Sequence, residues 1–305
     1  MDFIKPGINV DFVNRSRIAL ICSLVVALIG IGSLVIKGGP LYGIDFAGGT
    51  LVQVKFNQAP EVGEIRDALG GEGLGSSVIQ SLGEDKVSIR LMSEEGQAET
   101  VSEDVFAIIQ KRFGQDQVSL ELVEMVGPQV GADMRRKGML SILYAMVGIL
   151  IYITLRFQFR FAMGAIAALV HDITITVGVF SLLDKEFTLS VIAALLTIIG
   201  YSLNDTIVVY DRIRENIRRT PKDKLASVVN TSINQTLSRT ILTSGTTLLV
   251  VACLFVLGGE VIHDFSFALL VGVLVGTYSS IYIASPVLLL GGKGDAVARA
   301  SVRQG

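Results

Sequence analysis

The sequence contains few of the side chains that most enzymes and metalloproteins use. Among 305 residues there are only 2 cysteines and 2 histidines. Cys22 and Cys253 both lie in long apolar runs, where cysteine behaves as a small apolar residue, so no disulfide, metal site or cofactor is expected. No GxxxxGKS or GxxxxGKT phosphate-binding loop occurs, which argues against nucleotide hydrolysis. A nucleic-acid partner is not expected either.

Charged residues are also scarce, at 18% of the chain, whereas hydrophobic residues make up 50% and the mean hydropathy is +0.59. These values exclude an ordinary soluble domain and indicate an integral membrane protein. Six runs reach the length of a helical span. They are 18–36, 138–155, 161–183, 188–210, 240–258 and 265–290. We expect the first run to remain as an anchor, because it lacks a convincing cleavage site and further spans follow it.

Lysine and arginine predict the orientation. The segments before the first span, at 156–160, at 211–239 and after the last span hold 15 of the 26 basic residues, whereas the short loops at 184–187 and 259–264 hold only Lys185. Basic residues concentrate on the cytoplasmic side, so both termini are predicted to be cytoplasmic. The segments outside the spans are therefore a cytoplasmic N-terminus at 1–17, a periplasmic domain at 37–137, a cytoplasmic amphipathic loop at 211–239 and a cytoplasmic tail at 291–305.

The domain between the first two spans differs from the rest of the chain in composition. Residues 37–134 carry 16 acidic and 7 basic side chains. Hydrophobic periodicity predicts four strands and two helices in the order βαββαβ, which is typical of an α+β ferredoxin-like fold. The strands are expected at 50–56, 76–80, 86–91 and 118–126, and the helices at 61–69 and 99–113. Without cysteine, histidine or a catalytic triad, this domain is expected to make contacts and not to catalyse a reaction.

Only three ionisable side chains other than cysteine and tyrosine fall inside the predicted spans: His171, Asp172 and Asp205. A carboxylate in hydrocarbon costs at least a few kcal/mol (about 2.5 to 3.5 on insertion scales), so it is usually paired, protonated or functional. Asp172 is at the middle of the third span, with Thr176 one turn away. His171 fits either a proton carrier or a neutral residue that hydrogen-bonds between helices.

Asp205 belongs to a stripe with Thr197 and Tyr201 at positions i, i+4 and i+8, beside Asn204. Arg239 immediately precedes the fifth span and is followed one turn later by Thr243. Facing stripes would let the guanidinium reach the carboxylate, and an arginine that moves relative to its aspartate can convert proton binding into conformational change.

Two alternatives stay open for this pair of charges. The pair can be purely structural and lock two helices together. Arg239 alone can extend to the headgroups at the end of its span.

The loop at 211–239 mixes basic and apolar side chains, a composition suited to the inner face of a membrane and to contact with anionic lipids.

Several motifs resemble a known family. They are GIDFAGGT at 43–50, VGP at 126–128, VHD at 170–172, IGYSLNDTIVV at 199–209, DRIREN at 211–216 and LSRT at 237–240. The whole chain is similar to the SecD/SecF family of bacterial protein-export membrane proteins. The resemblance implies half of a resistance-nodulation-division-type transporter fold in the bacterial inner membrane, with the partner subunit SecD supplying six more spans. It also implies association with the SecYEG translocon and YajC, and use of the proton motive force to draw preproteins outward.

Within that family the positions of Asp205 and Arg239 are linked to proton movement, together with an aspartate of SecD. His171, Asp172, Tyr201, Asn204 and Thr243 are then expected to be supporting polar residues.

Two other functions fit part of the sequence. A proton-driven efflux subunit for small molecules fits six spans and one large loop domain, but the motifs argue against it. An intramembrane aspartyl protease would use Asp172 and Asp205, but its Tyr-Asp and Gly-x-Gly-Asp motifs are missing. The chain is therefore not expected to be an enzyme.

Overall fold

The computed structural model describes residues 9–58, 60–75, 77–82, 85–91, 98–157, 159–220 and 223–289. The chain divides into two compact units. The second unit comprises Tyr42–Leu140 and Phe187–Leu189, and the first comprises the remainder. The predicted tail at 291–305 lies outside the described residues.

The described residues include six helices that are long and apolar enough to cross a membrane, as the sequence predicts. Three of them bury about half of their most apolar segment inside the chain, whereas the other three bury less than a fifth. The less buried helices are α1 (Phe12–Ile36), α5 (Pro128–Arg156) and α8 (Leu225–Leu257). The more buried ones are α6 (Phe159–Leu182), α7 (Leu189–Arg219) and the last span, which starts with α9 (Glu260–Ser279).

The amphipathic loop predicted at 211–239 is largely helical among the described residues. Helix α7 continues to Arg219, and α8 already begins at Leu225. In this stretch Arg212 and Arg219 both form ion pairs with Glu215 at helical spacing. The fall in hydropathy after residue 210 marks the end of the apolar run, whereas the helix continues because its charged side chains pair along its surface.

Close packing of small residues joins α1 to α6. A Cβ atom built on Gly30 would lie 2.8 Å from the Cα atom of Gly178, and the reverse holds for Gly178. Any side chain at either position would separate the two backbones, so the helices approach as glycine-containing membrane helices do.

The last span contains a π-helical turn at Ser280–Ala284, between α9 and the short helix α10 (Ser285–Val287). Such a turn disturbs the helical hydrogen-bond ladder, so its carbonyl groups need other donors. Ser285 Oγ donates to the carbonyl of Ser280 at 2.8 Å, and the buried hydroxyl of Tyr210 donates to the carbonyl of Ala284 at 2.9 Å. The turn is thereby held by α7.

The second unit has the βαββαβ order and the sheet order β2-β3-β1-β4 of a ferredoxin-like fold, with all strand pairs antiparallel. Its core contains the fully buried Val52, Val54 and Ile89 of the sheet and Ile65 and Ile109 of the helices. The predicted fold class is therefore confirmed. The elements are α2 (Ile44–Ala47), β1 (Gly49–Phe56), α3 (Val62–Gly70), β2 (Val78–Leu82), β3 (Lys86–Leu91), α4 (Ala98–Phe113) and β4 (Val118–Val126).

Candidate functional site

Asp172 of α6 is completely buried, and its carboxyl group is surrounded by donors. Ser202 Oγ of α7 donates to Asp172 Oδ2 at 2.6 Å, and Ser279 Oγ of α9 donates to the same oxygen at 2.8 Å. Both serines are themselves buried. The carboxyl group thus joins three helices at one point, immediately before the π-helical turn.

His171 completes this cluster. Its Nδ1 atom hydrogen-bonds to Asp172 Oδ1 at 2.9 Å, and its ring stacks on Tyr278 with centroids 6.2 Å apart. The hydroxyl group of Tyr278 donates to the carbonyl of Ala19 in α1 at 2.7 Å. The imidazole therefore connects the Asp172 cluster to a fourth helix. Thr176, expected beside the carboxyl group, instead donates to the main-chain carbonyl of Asp172.

Asp205 of α7 is also buried, at 4% exposure, but it has a different environment. Thr240 and Arg239 of α8 lie beside its carboxyl group. Among the described residues, Asp205 Oδ2 and Thr240 Oγ1 are both buried without a hydrogen-bond partner. Arg239 is exposed and lies near the carboxyl group without forming a direct ion pair with it in the described part of the chain.

The predicted polar stripe on α7 does not form a single face. Thr197 is exposed and donates to the carbonyl of Ala193 in its own helix, Tyr201 is half-buried and Asp205 is buried. A step of four residues turns a helix about 40° beyond a full turn, so residues eight apart diverge by about 80°. Asn204, like Thr197, is exposed in this chain.

The predicted stripe on α8 also needs correction. Thr243 donates to the carbonyl of Arg239 in its own helix at 2.8 Å. At the level of Tyr201 and Asp205, the α8 residues beside α7 are Thr240 and Ser244, both buried. The hydroxyl group of Tyr201 lies 3.5 Å from Ser244 Oγ, which accepts a 2.7 Å hydrogen bond from Thr277 of α9. A line of hydroxyl groups therefore runs beside Asp205.

Four of these polar residues were not singled out from the sequence as site residues: Ser202, Ser279, Thr240 and Ser244. Ser202 is one turn before Asp205, whereas Thr240 directly follows Arg239 and is one turn before Ser244. Helical spacing from Asp205 and Arg239 was therefore the signal that could have indicated these three residues. No comparable local pattern marks Ser279. It reaches Asp172 across 107 residues of sequence.

The last span approaches α7 closely at the level of these residues. A Cβ atom on Gly276 would lie 3.0 Å from Ser202 Cβ, and one on Gly272 would lie 2.2 Å from Ile198 Cδ1. The two glycines form a GxxxG spacing that keeps Ser202 and Ser279 within reach of the same carboxyl oxygen.

Comparison with known proteins identifies the family. The family described as "Protein export membrane protein SecD/SecF, C-terminal" matches residues 106–293, and the "SecD/SecF GG Motif" matches residues 39–60. The chain is 50% identical over 294 residues to protein translocase subunit SecF of Magnetococcus marinus, covering 95% of this chain and 94% of that one. It is 44% identical to the SecF subunit of Vibrio alginolyticus, covering 94% and 91%.

A solved structure agrees with these matches. SecDF from Thermus thermophilus, a translocon-associated membrane protein, superposes with a TM-score of 0.83 at 37% identity, covering 93% of this chain. This chain spans 38% of the length of that protein. The chain belongs to the SecD/SecF family of protein-export membrane proteins, within which it is similar to the SecF translocase subunits over nearly its whole length.

Proposed function

We propose that this multi-pass membrane protein, a Sec translocase subunit by family, uses the proton motive force to promote preprotein movement, with Asp205 as the group that exchanges the proton. The observation that carries the proposal is the buried Asp205 carboxyl group, whose Oδ2 atom has no hydrogen-bond partner among the described residues. The Oδ2 atom can gain or lose a proton without breaking a hydrogen bond of its own. It is therefore suited to repeated exchange.

Arg239 is proposed as the charge that responds to this exchange. It lies on α8 beside Asp205 but remains exposed and outside direct contact. An ionised Asp205 attracts the guanidinium group, whereas a protonated Asp205 does not. Proton binding would thus change the attraction between α7 and α8, and this change is the step that couples protonation to movement.

A partner subunit is proposed to complete the site. Thr197, Asn204 and Arg239 are polar side chains that the chain itself leaves exposed on α7 and α8. Polar groups at membrane depth normally face protein or a water-filled cavity, because contact with lipid is costly. By family, that partner is SecD, which would supply a further carboxylate, and the assembly would act with SecYEG and YajC on a preprotein.

The orientation belongs to the same proposal. The distribution of lysine and arginine favours cytoplasmic termini, which would place the second unit on the periplasmic side. There it would contact the emerging preprotein.

Inside-out membrane vesicles that contain the chain with its partner subunits would test the proposal. The measurement is preprotein transport with and without an imposed proton gradient, for wild type, Asp205→Asn and Arg239→Met. Both variants are expected to lose the gradient-dependent part of transport. Asp184→Asn is the matched control: it neutralises an exposed carboxylate that pairs with Lys37 and is not part of the proposed site, at a positive φ that asparagine tolerates. Retention of gradient dependence by both site variants would overturn the proposal.

A further inference from the structure

His171 of α6 is an ionisable side chain whose two ring nitrogens have different surroundings. Its side chain is only 10% exposed. The Nδ1 atom hydrogen-bonds to Asp172 Oδ1 at 2.9 Å, whereas the Nε2 atom is buried and has no hydrogen-bond partner among the described residues. Buried polar atoms are normally paired, so an unpaired ring nitrogen inside a membrane span needs a physical reason.

The surroundings of Asp172 determine which nitrogen carries the proton in the neutral ring. Ser202 and Ser279 both donate to Oδ2 of this carboxyl group. A carboxylate only accepts hydrogen bonds, so the Nδ1 atom of His171 is the donor to Oδ1, and Nε2 keeps its lone pair. A carboxylate in this position fixes the tautomer and the orientation of an imidazole. The Nε2 atom is therefore a proton acceptor that is not yet used.

The imidazole ring is also held from two neighbouring helices. It stacks on Tyr278 of α9, with ring centroids 6.2 Å apart and ring planes inclined by 21°. The hydroxyl group of Tyr278 donates to the carbonyl of Ala19 and accepts from Ser23, both in α1. The ionisable groups in contact with the ring are thus Asp172 on its own helix and Tyr278 on α9, while α1 supplies a carbonyl and a hydroxyl group behind Tyr278. A proton on Nε2 would break none of these contacts.

We propose that His171 is a second proton-exchanging residue of this membrane protein, which binds a proton at Nε2 while Nδ1 stays hydrogen-bonded to Asp172. The inference rests on the proposed function, because it assigns a second group to the same proton movement. In each exchange the lone pair of Nε2 takes a proton from water and later returns it to water, and no other covalent bond is made or broken. Histidine suits this task, since it ordinarily gains and loses a proton between about pH 5 and about pH 8.

The cluster gives this exchange an effect on the helices. A neutral imidazole only donates a hydrogen bond to Asp172, whereas an imidazolium also attracts the carboxylate by its charge, and this attraction is strong where water is excluded. Asp172 in turn joins α6 to α7 and α9 through Ser202 and Ser279. Proton uptake would therefore strengthen the hold of α6 on both helices. Ser202 is three residues before Asp205, so this hold acts on α7 within one turn of the other proton-exchanging group.

Nitrogen NMR of the imidazole rings tests the inference directly. The chain contains only 2 histidines, so a chain with isotope-labelled histidine, reconstituted in lipid with unlabelled partner subunits, gives few signals, and His263→Gln identifies those of His171. We expect a neutral ring protonated at Nδ1 at about pH 8 and an imidazolium at about pH 5. A ring that stays neutral over this range, or that carries its proton on Nε2 when neutral, would overturn the inference.

The vesicle assay gives a second test. His171→Asn keeps a side-chain N–H near the position of Nδ1, so it can still donate to Asp172, but it cannot bind a proton. It is expected to lose the gradient-dependent part of transport while its melting temperature stays close to that of wild type. His263→Gln removes the other histidine, which is partly exposed, and is the matched control that should transport as wild type does.

The results separate this inference from the proposed function. If His171→Asn keeps gradient dependence while Asp205→Asn abolishes it, the inference is overturned and the proposed function stands. If His171→Asn does not fold, the NMR titration of the unchanged ring decides alone. If Asp205→Asn itself keeps gradient dependence, the proposed function fails, and the titration still shows whether His171 exchanges a proton.

Discussion

Asp172 and Asp205 are both buried aspartates on helices that span the membrane, yet they have opposite surroundings. The Asp172 carboxyl group accepts hydrogen bonds from Ser202 and Ser279 and interacts with His171. Asp205 has Thr240 and Arg239 nearby, but its Oδ2 atom has no hydrogen-bond partner among the described residues. Burial alone therefore does not distinguish a structural carboxyl group from one that can change its state.

This difference assigns separate tasks to the two groups. If the carboxyl group of Asp172 moved, Ser202 would lose its acceptor and Ser279 would keep only its 3.1 Å hydrogen bond to the carbonyl of Gly276. This position therefore stabilises one arrangement of α6, α7 and α9. The Oδ2 atom of Asp205 can exchange a proton without such a loss. With one carboxyl group fixed by hydrogen bonds and another able to exchange its proton, part of the helix bundle can respond to protonation while the remainder stays packed.

The largest expected effect on stability is that of replacing Asp172, whose carboxyl group is fixed by hydrogen bonds. Asp172→Leu would leave the buried Ser202 hydroxyl group without an acceptor and the His171 imidazole without its partner. Ser279 would keep only its hydrogen bond to a carbonyl of its own helix, and we expect a total cost of about 3 to 5 kcal/mol in the free energy of unfolding. Thermal unfolding of the purified protein in detergent should show a large fall in the melting temperature. An Asp172→Leu variant as stable as wild type would show that the carboxyl group does not hold the three helices together.

Replacing Asp205 by leucine should change stability in the opposite direction. Asp205→Leu replaces a buried carboxyl group that lacks a hydrogen bond at Oδ2 with an apolar side chain of similar size, so we expect about 1 kcal/mol of stabilisation. Transport driven by the proton gradient should nevertheless be lost. Marked destabilisation of this variant, measured by the same melting experiment, would remove the contrast between the two aspartates.

Removing one donor to Asp172 should have a smaller effect than Asp172→Leu. Ser279→Ala leaves Oδ2 with Ser202 alone, which should lower stability by about 1 to 2 kcal/mol. Ser266→Ala is a matched control, because Ser266 is equally buried but its hydroxyl group has no partner among the described residues. Equal melting temperatures for the two variants would contradict the role given to the serine pair.

The sequence predicted the architecture well because length and periodicity carry that information. Apolar runs of about 18 residues or more mark spans, and the alternation of strands and helices in the second unit is local. The extension of α7 to Arg219 was missed, since hydropathy reports the apolar part of a helix and not its charged continuation. The π-helical turn at Ser280–Ala284 also had no local signal.

The polar site was only partly predictable. Asp172 and Asp205 stand out because a carboxyl group in an apolar run is rare. The partners of Asp172 come from 30 and 107 residues away, and serine is common enough in spans to attract no attention. The choice between Thr240 and Thr243 as the neighbour of Asp205 depends on the rotation of α8, which only packing determines.

The smallest predicted effects concern these two threonines and sharpen the account of Asp205. Thr243 donates to a carbonyl of its own helix, so Thr243→Val should change stability by no more than about 0.5 kcal/mol and leave gradient-dependent transport intact. Thr240→Val should be equally mild in stability, because the hydroxyl group of Thr240 has no hydrogen bond among the described residues. It should nevertheless slow gradient-dependent transport, since it removes the hydroxyl group beside Asp205. The two variants are compared by their initial rates of preprotein transport at a fixed proton gradient. If Thr243→Val slowed transport and Thr240→Val did not, α8 would present its other face to Asp205 in the working complex.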